Sequence, residues 1–200
     1  MQNNFNSLKM RNIAIFASGS GSNAEQIIRY FNKSAKSARV ALLLSNNHEA
    51  YALERAGRLG VETLVFSRED FYATDSVKNA LAAKKIDFIV LAGFLWLIPL
   101  DIISAYPNRM VNIHPALLPK FGGKGMYGER VHRAVLAAGE KESGITIHYV
   151  SAEYDRGDII FQASCPVLPT DTAATLAERV HKLEHEHFAR VVEGEIQIKN

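Results

Sequence analysis

Five consecutive apolar residues, Phe88 to Ala92, end at Gly93 and constrain the fold of this chain more than any other segment. A strand that is apolar at every position has no solvent-facing side, so it belongs at the centre of a parallel sheet that helices cover on both faces. Other short apolar runs alternate with segments of helical apolar spacing: 13–17, 23–31, 40–44, 50–59, 63–66 and 70–85. The alternation predicts an α/β fold, an open, mostly parallel twisted sheet flanked by helices, with ligands bound at the carboxyl ends of the strands.

The last third of the chain follows a different pattern. Two strand-like runs, 144–150 and 159–167, are joined by a short polar loop with no helix between them. Strands joined in this way pair antiparallel, so we expect an antiparallel extension of the sheet near the C-terminus. A long helix over 171–194, with Thr170 or Asp171 as its N-cap, follows these strands. Neither repeats nor linkers interrupt the segments, which predicts a single domain over residues 1–200.

The charge balance and the cysteine count exclude several classes of partner. The chain has 23 basic and 21 acidic residues, and its formal net charge of +2 is too small for the broad positive field of a nucleic-acid-binding protein. One cysteine, Cys165, allows neither an internal disulfide nor a Cys-based metal cluster. The polar segment 1–11 is neither a signal peptide nor a membrane span. We therefore expect small-molecule partners, no nucleic acid, no membrane and a cytoplasmic location, with the oligomeric state, monomer or homodimer, left open.

A glycine loop, Gly19-Ser20-Gly21-Ser22-Asn23-Ala24, follows the first predicted strand. It has the form of a dinucleotide fingerprint, but Ser45-Asn46-Asn47 stands where an acidic residue would bind the ribose of a dinucleotide. Free backbone N–H groups at a helix N-terminus, together with two serine hydroxyls, still make an anion site. We therefore predict that the loop binds a phosphate monoester.

A second polar group stands at the end of a short strand, where Asn112-Ile113-His114 runs into Pro115. Residues two apart in a strand point to the same side, so Asn112 and His114 can face one reacting atom. A side-chain amide and an imidazole suit the stabilisation of an oxyanion during acyl or formyl transfer. The polar loop 151–158 offers carboxylates that can reach His114 and favour its charged form, and His148 comes just before it.

Several of these segments together carry a family resemblance: Gly21-Ser22-Asn23, Leu91-Ala92-Gly93-Phe94, the run from Asn112 to Pro119, and His148 with Asp155-Arg156-Gly157. They resemble the folate-dependent formyltransferase family, and within it the members that act on glycinamide ribonucleotide. The likeness spans nearly the whole chain, and N-I-H-P-x-L-L-P is its most specific motif. The resemblance implies a Rossmann-like fold and transfer of a formyl group from 10-formyltetrahydrofolate, the formyl-donor co-substrate, to the primary amine of glycinamide ribonucleotide in purine biosynthesis.

The resemblance also implies roles for single residues. His114 would be the catalytic acid, Asn112 would donate to the oxyanion, Asp155 would hold the histidine, and His148 would support them. The N-terminal half would bind the ribonucleotide, through Gly21, Ser22 and Asn23, with Glu184 on the last helix at its ribose. The C-terminal half would supply folate binding and catalysis. The folate contacts implied are Arg68, Leu95, Trp96, Leu97, Ile98, Asn112, Ser151 and Asp155, with no metal.

Two features depart from the family pattern. Trp96 stands where familiar members carry a basic residue, which removes a charge contact to the folate from that position but leaves backbone contacts possible. The stretch 121–128 is longer and richer in glycine than the pattern, and is interpreted as a mobile lid in which Lys120 or Lys124 assists the phosphate site.

Three other hypotheses stay open at this stage. One is another folate-dependent formyltransferase, acting on methionyl-tRNA or an amino sugar, or a formyltetrahydrofolate hydrolase; both usually carry additional domain material that is not evident here. A second is a metal site built from His181, His185 and His187 on the last helix. A third is a non-catalytic nucleotide-binding module on the same sheet. The set of Asn112, His114 and Asp155 favours an enzyme, because a binding module needs no imidazole and carboxylate beside an anion loop.

Overall fold

A computed structural model describes residues 10–34 and 38–198. The first nine residues, part of the polar segment considered above, lie outside the described residues. Seven strands form one sheet: β1 (Arg11–Phe16), β2 (Ala38–Ser45), β3 (Glu62–Val65), β4 (Phe88–Leu91), β5 (Met110–His114), β6 (Glu142–Tyr149) and β7 (Ile159–Pro166). Seven helices accompany them in the described part: α1 (Ser22–Ser34), α2 (Tyr51–Arg58), α3 (Arg68–Tyr72), α4 (Ser76–Ala83), α5 (Leu100–Ala105), α6 (Glu129–Ala137) and α7 (Ala173–Ile198).

The strand order is β3-β2-β1-β4-β5-β6-β7, and the direction of winding reverses between β1 and β4. The first five strands in this order pair in parallel, whereas β6 pairs antiparallel with β5 and β7 antiparallel with β6. The mostly parallel sheet and its antiparallel extension, both predicted from the sequence, are confirmed. Because the winding reverses beside β1 and β4, the loops that follow these two strands diverge and leave a crevice.

The sheet is covered on both faces, and each face has its own hydrophobic core. One core packs α1, α2, α6 and α7 against the sheet, and the other packs α3, α4 and α5. All four residues of β4 are buried, with Ile89 facing one core and Val90 the other. The apolar run that dominates the sequence is therefore a central strand, as predicted.

The segment 70–85, predicted as one helix, is two helices separated at Ala73–Asp75. Thr74 causes the break, because its hydroxyl donates to the carbonyl of Asp70 at 3.3 Å and accepts from the backbone N–H of Ser76 at 3.2 Å. Hydroxyl side chains that bond the local backbone in this way compete with helical hydrogen bonds. The prediction of a continuous helix was therefore wrong.

The last helix begins later than expected, at Ala173, and runs to Ile198. Its cap is Thr172, whose hydroxyl accepts from the N–H of Thr175 at 3.2 Å, and neither Thr170 nor Asp171 has this place. Asp171 instead pairs with Arg179 at 2.7 Å. Among the described residues, no helix is both long enough and apolar enough to cross a membrane.

Candidate active site

A cavity of about 550 Å³ opens at the carboxyl ends of β1, β4 and β5. The catalytic and substrate-binding residues predicted from the sequence all line it, and so do all but one of the predicted folate contacts: Gly21, Ser22, Asn23, Leu95, Trp96, Leu97, Ile98, Asn112, His114, His148, Ser151, Asp155 and Glu184. Arg68 is the exception: it is exposed and does not line the cavity, and its guanidinium lies 5.6 Å from the centre of the Trp96 indole ring. Residues far apart in the chain thus meet at the switch point of the sheet.

The glycine loop after β1 uses its two glycines differently. Gly21 has φ +72°, and a Cβ added there would lie 2.5 Å from the Cα of Ala52, so the residue allows α1 and α2 to pack closely. A Cβ added at Gly19 would meet nothing within 4 Å. The backbone at Gly19 is therefore open on the cavity side, beside the N-terminus of α1, where free N–H groups and the helix dipole favour an anion.

Asn23 joins this loop to the last helix. Its Nδ2 donates to Oε2 of Glu184 at 2.8 Å, while its Oδ1 is buried with no partner among the described residues. Glu184 is 5% exposed, and burial raises its pKa against the opposing effects of the Asn23 hydrogen bond and of His181. A buried amide oxygen and a carboxylate on one wall favour ligand groups that donate hydrogen bonds, such as sugar hydroxyls.

His114 is the last residue of β5 and is almost fully buried. Its Nε2 lies 2.8 Å from the carbonyl oxygen of Phe121, and its Nδ1 lies 3.5 Å from Oδ2 of Asp155. Both neighbours accept hydrogen bonds, so they favour the charged imidazole, yet burial lowers the pKa of His114 by more than Asp155 and the carbonyl raise it. Because the net effect is a lowered pKa, the charged imidazole of His114 releases its proton readily, which suits a general acid.

Asp155 reaches His114 from the loop between β6 and β7, where its φ of +56° turns the chain sharply. Its Oδ2 also accepts from the backbone N–H of Gly123 at 2.8 Å. Burial acts to raise the pKa of Asp155, but the hydrogen bond with His148, the charge of His114 and the Gly123 N–H together lower it. The carboxylate therefore stays charged beneath the imidazole and also fixes one end of the glycine-rich segment 121–128.

Asn112 and His148 stand directly opposite each other in the antiparallel pair of β5 and β6. The Nδ1 of His148 donates to its neighbouring carbonyl, that of Tyr149, at 2.8 Å. Its Nε2 lies 3.1 Å from Nδ2 of Asn112 and 3.6 Å from Oδ1 of Asp155. The second amide hydrogen of Asn112 points to Oδ1 of Asp155 at 3.4 Å. This second bond is long, so it is the one that a developing negative charge on a substrate would displace.

The stretch after β4 is held by side chains from two other segments. The hydroxyl of Ser18 accepts from the N–H of Leu95 at 3.1 Å, and the hydroxyl of Tyr72 donates to the carbonyl of Leu97 at 2.8 Å. The carbonyl of Leu97, within the stretch for which the resemblance implies folate contacts, already has one donor. We therefore expect the backbone groups of Trp96 and Ile98 to be the ones that remain for a ligand.

Sequence reasoning assigned no role to His132, which also lines the cavity. It is 2% exposed, and its Nδ1 is buried with no partner among the described residues. Burial, helped by the charges of His181 and His114, lowers the pKa of His132 to about 4, so its ring is neutral at pH 7. A single histidine in a short helix after a glycine-rich segment carries no sequence signal for such a position.

The histidines of the last helix do not support the metal hypothesis. His181 and His185 stack at 6.5 Å, whereas the ring of His187 packs against Phe161 at 4.9 Å. Within residues 10–34 and 38–198, no group of three or more His, Cys, Asp or Glu side chains is arranged to hold a metal ion. His181 lines the cavity with Glu184, and these two side chains approach to 3.9 Å.

A glycine loop at a helix N-terminus and a buried cluster of imidazole, amide and carboxylate line one cavity, an arrangement typical of an α/β protein of the group-transferase class. Comparison with known sequences narrows the class, since residues 11–192 match the formyl transferase family. The chain belongs to this family.

Relatives and solved structures agree with the family assignment. The chain is 40% identical over 189 residues to the chloroplastic phosphoribosylglycinamide formyltransferase of Arabidopsis thaliana, with 92% of the chain and 65% of the plant protein covered. It is 33% identical over 195 residues to the phosphoribosylglycinamide formyltransferase of Bacillus subtilis, with 96% and 97% covered. The crystal structure of that enzyme from Brucella melitensis matches with a TM-score of 0.84 and 39% identity, covering 94% of this chain and 96% of the other. The chain thus spans 65% of the Arabidopsis protein, 61% of the chloroplastic phosphoribosylglycinamide formyltransferase of Vigna unguiculata, and nearly all of the Bacillus protein.

Proposed function

We propose that this protein transfers a formyl group from 10-formyltetrahydrofolate to the primary amine of glycinamide ribonucleotide, a step of purine biosynthesis. The observation that carries the proposal is the meeting of His114, Asn112 and Asp155 with the glycine loop in one cavity. Membership of the formyl transferase family and the relatives that carry this enzyme name support it.

The ribonucleotide half of the proposal rests on the N-terminal wall. The loop at 19–22 offers backbone N–H groups and the N-terminus of α1 to a phosphate. Beside it lie the Oδ1 of Asn23, which has no partner among the described residues, and the buried carboxylate of Glu184; both are acceptors suited to ligand hydroxyl groups. A sugar phosphate supplies both kinds of group, so a ribonucleotide fits this wall.

The folate half rests on the stretch 95–98 and on the loop that contains Ser151 and Asp155. The aromatic and apolar side chains of Trp96 and Ile98 suit a flat heterocycle with a long arm, and free backbone groups beside them suit its ring nitrogens. When bound, 10-formyltetrahydrofolate supplies the formyl carbon that an amine attacks. In the proposed single domain, the glycine loop with Asn23 and Glu184 binds the ribonucleotide, and the stretch 95–98 with the loop of Ser151 and Asp155 binds folate beside the catalytic residues.

The catalytic residues then have distinct tasks. His114 can carry a proton at the end of β5 and deliver it to the reacting centre, and Asp155 favours the charged imidazole against the larger opposing effect of burial. Asn112 turns its amide hydrogens toward the same point and stabilises negative charge there once its long bond to Asp155 is released. His148, whose Nε2 lies 3.1 Å from Nδ2 of Asn112, orients the Asn112 amide.

Purified protein is expected to consume 10-formyl-5,8-dideazafolate, a stable donor analogue, only when glycinamide ribonucleotide is present. The reason is that the described cavity provides an acid and an amide for an amine acceptor that the phosphate loop holds in place. An absorbance assay of deformylation follows the reaction, with a sample lacking the amine as control. Equal turnover without the amine would replace the proposal with a formyltetrahydrofolate hydrolase.

Inorganic phosphate is expected to inhibit by competing with the ribonucleotide and not with the folate. Backbone N–H groups at a helix N-terminus bind the phosphate group itself, whichever molecule carries it. Initial rates at several concentrations of each substrate, with sulfate as a matched second anion, give the inhibition patterns. Competition with the folate would move the anion site away from the glycine loop.

The binding partners, the oligomeric state and the cellular location of this protein are also proposals. We propose small-molecule substrates, no nucleic-acid partner, a monomer or homodimer, and action in the cytoplasm. The Arabidopsis relative is named as chloroplastic, so the compartment depends on the organism and on the targeting of each protein.

A further inference from the structure

Ser18 stands where three strands of the sheet end together. It comes just after β1, and its side chain reaches residues that follow β2 and β4. The hydroxyl donates to Oδ1 of Asn46 at 2.7 Å and accepts from the N–H of Leu95 at 3.1 Å. The backbone N–H of Ser18 donates to the carbonyl of Gly93 at 3.0 Å, and the residue is 9% exposed and lines the cavity. One small side chain therefore joins the start of the glycine loop to the stretch after β4.

Asn46 determines how the Ser18 hydroxyl is used. A hydroxyl has one hydrogen to donate and two lone pairs that accept. Because Asn46 takes that hydrogen, the oxygen of Ser18 is left to accept from the N–H of Leu95. Asn46 belongs to the run that stands where a dinucleotide-binding protein has an acid for the ribose. In this fold its side-chain oxygen instead faces the residue before the glycine loop, so Asn46 acts inside the protein.

The two segments that Ser18 joins are both open beside it. A Cβ added at Gly19, the next residue, would meet nothing within 4 Å. The same holds for Gly93, whose φ of +74° favours glycine. Packing does not enclose the backbone at either position, so each segment has room to adjust when a ligand arrives. A hydrogen bond between two adjustable segments transmits the adjustment of one to the other.

Under the proposed function these two segments bind different substrates. The loop at 19–22 offers N–H groups to a phosphate, and the stretch 95–98 offers backbone groups to the folate donor. When a phosphate orders the loop, Ser18 is held in place and the N–H of Leu95 keeps a fixed acceptor. A stretch that is ordered before its ligand arrives loses less entropy on binding. Occupation of the loop should therefore strengthen binding of the donor.

We propose that Ser18, oriented by Asn46, is a positioning residue that couples the two substrate sites, so that a phosphate on the glycine loop increases the affinity for the folate donor. The inference rests on the proposed function, which assigns the ribonucleotide to the loop and the folate to the stretch after β4. The hydroxyl of Ser18 carries the coupling through its bonds to Asn46 and Leu95.

Calorimetry with 5,8-dideazafolate measures the coupling without turnover, because this donor analogue has no formyl group to transfer. Inorganic phosphate is the probe for the loop, since it lacks the ribose and the glycinamide that would contact the analogue directly. In the wild-type protein, phosphate at a saturating concentration is expected to lower the Kd of the analogue about fivefold, relative to chloride at equal ionic strength. One hydrogen bond has an effect of this order.

Variants of the two residues locate the coupling. Ser18→Ala keeps the backbone bond to Gly93 but has no hydroxyl, so phosphate should change the Kd of the analogue by less than about twofold. Asn46→Ala should behave in the same way, because the Ser18 hydroxyl loses the acceptor that orients it. Asn46→Asp keeps that acceptor and should restore the coupling, although its charge weakens phosphate binding itself. Ser104→Ala is the matched control, since Ser104 is an exposed serine on α5 outside the cavity.

The ratio of the Kd values with and without phosphate separates this role from a structural one. A purely structural role of Ser18 would weaken analogue binding equally in both conditions and leave the ratio unchanged. Circular dichroism and thermal unfolding establish that each variant is folded, and the two Asn46 variants carry the test if Ser18→Ala is not.

Undiminished coupling in a folded Ser18→Ala or Asn46→Ala variant would overturn this inference, as would a wild-type affinity for the analogue that phosphate leaves unchanged. Turnover of both substrates by the wild-type protein would leave the proposed function intact in either case. Absence of both donor binding and turnover in the wild-type protein would overturn the proposed function and this inference with it.

Discussion

His114→Ala is expected to lower kcat by at least about a hundredfold while the protein keeps its fold and its affinity for glycinamide ribonucleotide, because proton delivery and charge stabilisation would be lost together. His114 stands at the end of a central strand with both ring nitrogens facing acceptors, an arrangement that packing alone does not require. Steady-state kinetics and calorimetry with the ribonucleotide measure the two effects separately.

Two companion variants sharpen the result. His114→Gln can still donate to the carbonyl of Phe121 but cannot be protonated, so it should be nearly as inactive as His114→Ala. His48→Ala removes an exposed histidine outside the cavity and should leave kcat unchanged. A mild loss of kcat in His114→Ala, or loss of ribonucleotide binding with unchanged turnover at saturation, would remove His114 from its role as the acid.

Asp155→Asn is expected to lower kcat/KM by about a hundredfold at neutral pH, in the range of acid–base contributions, and to change its pH dependence. The Asp155 carboxylate raises the pKa of His114 against the larger lowering effect of burial. Without that charge the pKa of His114 falls further, so the acid form is lost at a lower pH. The alkaline limb of the kcat/KM profile should therefore move to lower pH, and the deficit should be smaller at pH 6 than at pH 8.

The asparagine variant keeps an oxygen that can accept from the Gly123 N–H, so the loop geometry should survive. Asp158→Asn is the matched control, because Asp158 is an exposed carboxylate in the same loop. An alkaline limb that stays where it is in the wild type would show that Asp155 acts only as a structural anchor for the segment after β5.

The sequence predicted the fold correctly wherever a local pattern of residues was enough to determine the secondary structure. The apolar run at 88–91 and its neighbours gave the parallel strands, and the pair at 144–150 and 159–167 gave the antiparallel extension. The helix break at Thr74 could not be predicted, because it depends on hydrogen bonds from the Thr74 hydroxyl to the local backbone, which compete with the helical hydrogen bonds. Helix α5 was likewise missed, since six residues carry too little periodicity to identify it.

The candidate site likewise has residues that the sequence predicted and residues that it did not. Asn112 and His114 were identified by strand spacing. The polar loop 151–158 indicated only that a carboxylate could reach His114, and the choice of Asp155 came from the resemblance. The contact between these residues depends on the turn at Asp155 and on the β5–β6 register. His132 was missed because burial and the neighbouring histidines, which lower its pKa, belong to the folded chain and leave no local pattern. The roles of Glu184, Arg68 and Trp96 came from resemblance, and the structure adds that Arg68 and Trp96 are in ring contact.

The hydrogen bond from the Gly123 N–H to Asp155 connects the ordering of the glycine-rich segment with the protonation of His114. Any ligand that orders the glycine-rich segment strengthens the position of this carboxylate, and the carboxylate in turn stabilises the proton on His114. By thermodynamic reciprocity, protonation of His114 must then favour the ordered segment by the same free energy. Amide exchange at Gly123 thus offers a readout of the charge on the acid, taken from a backbone group that takes no part in the reaction.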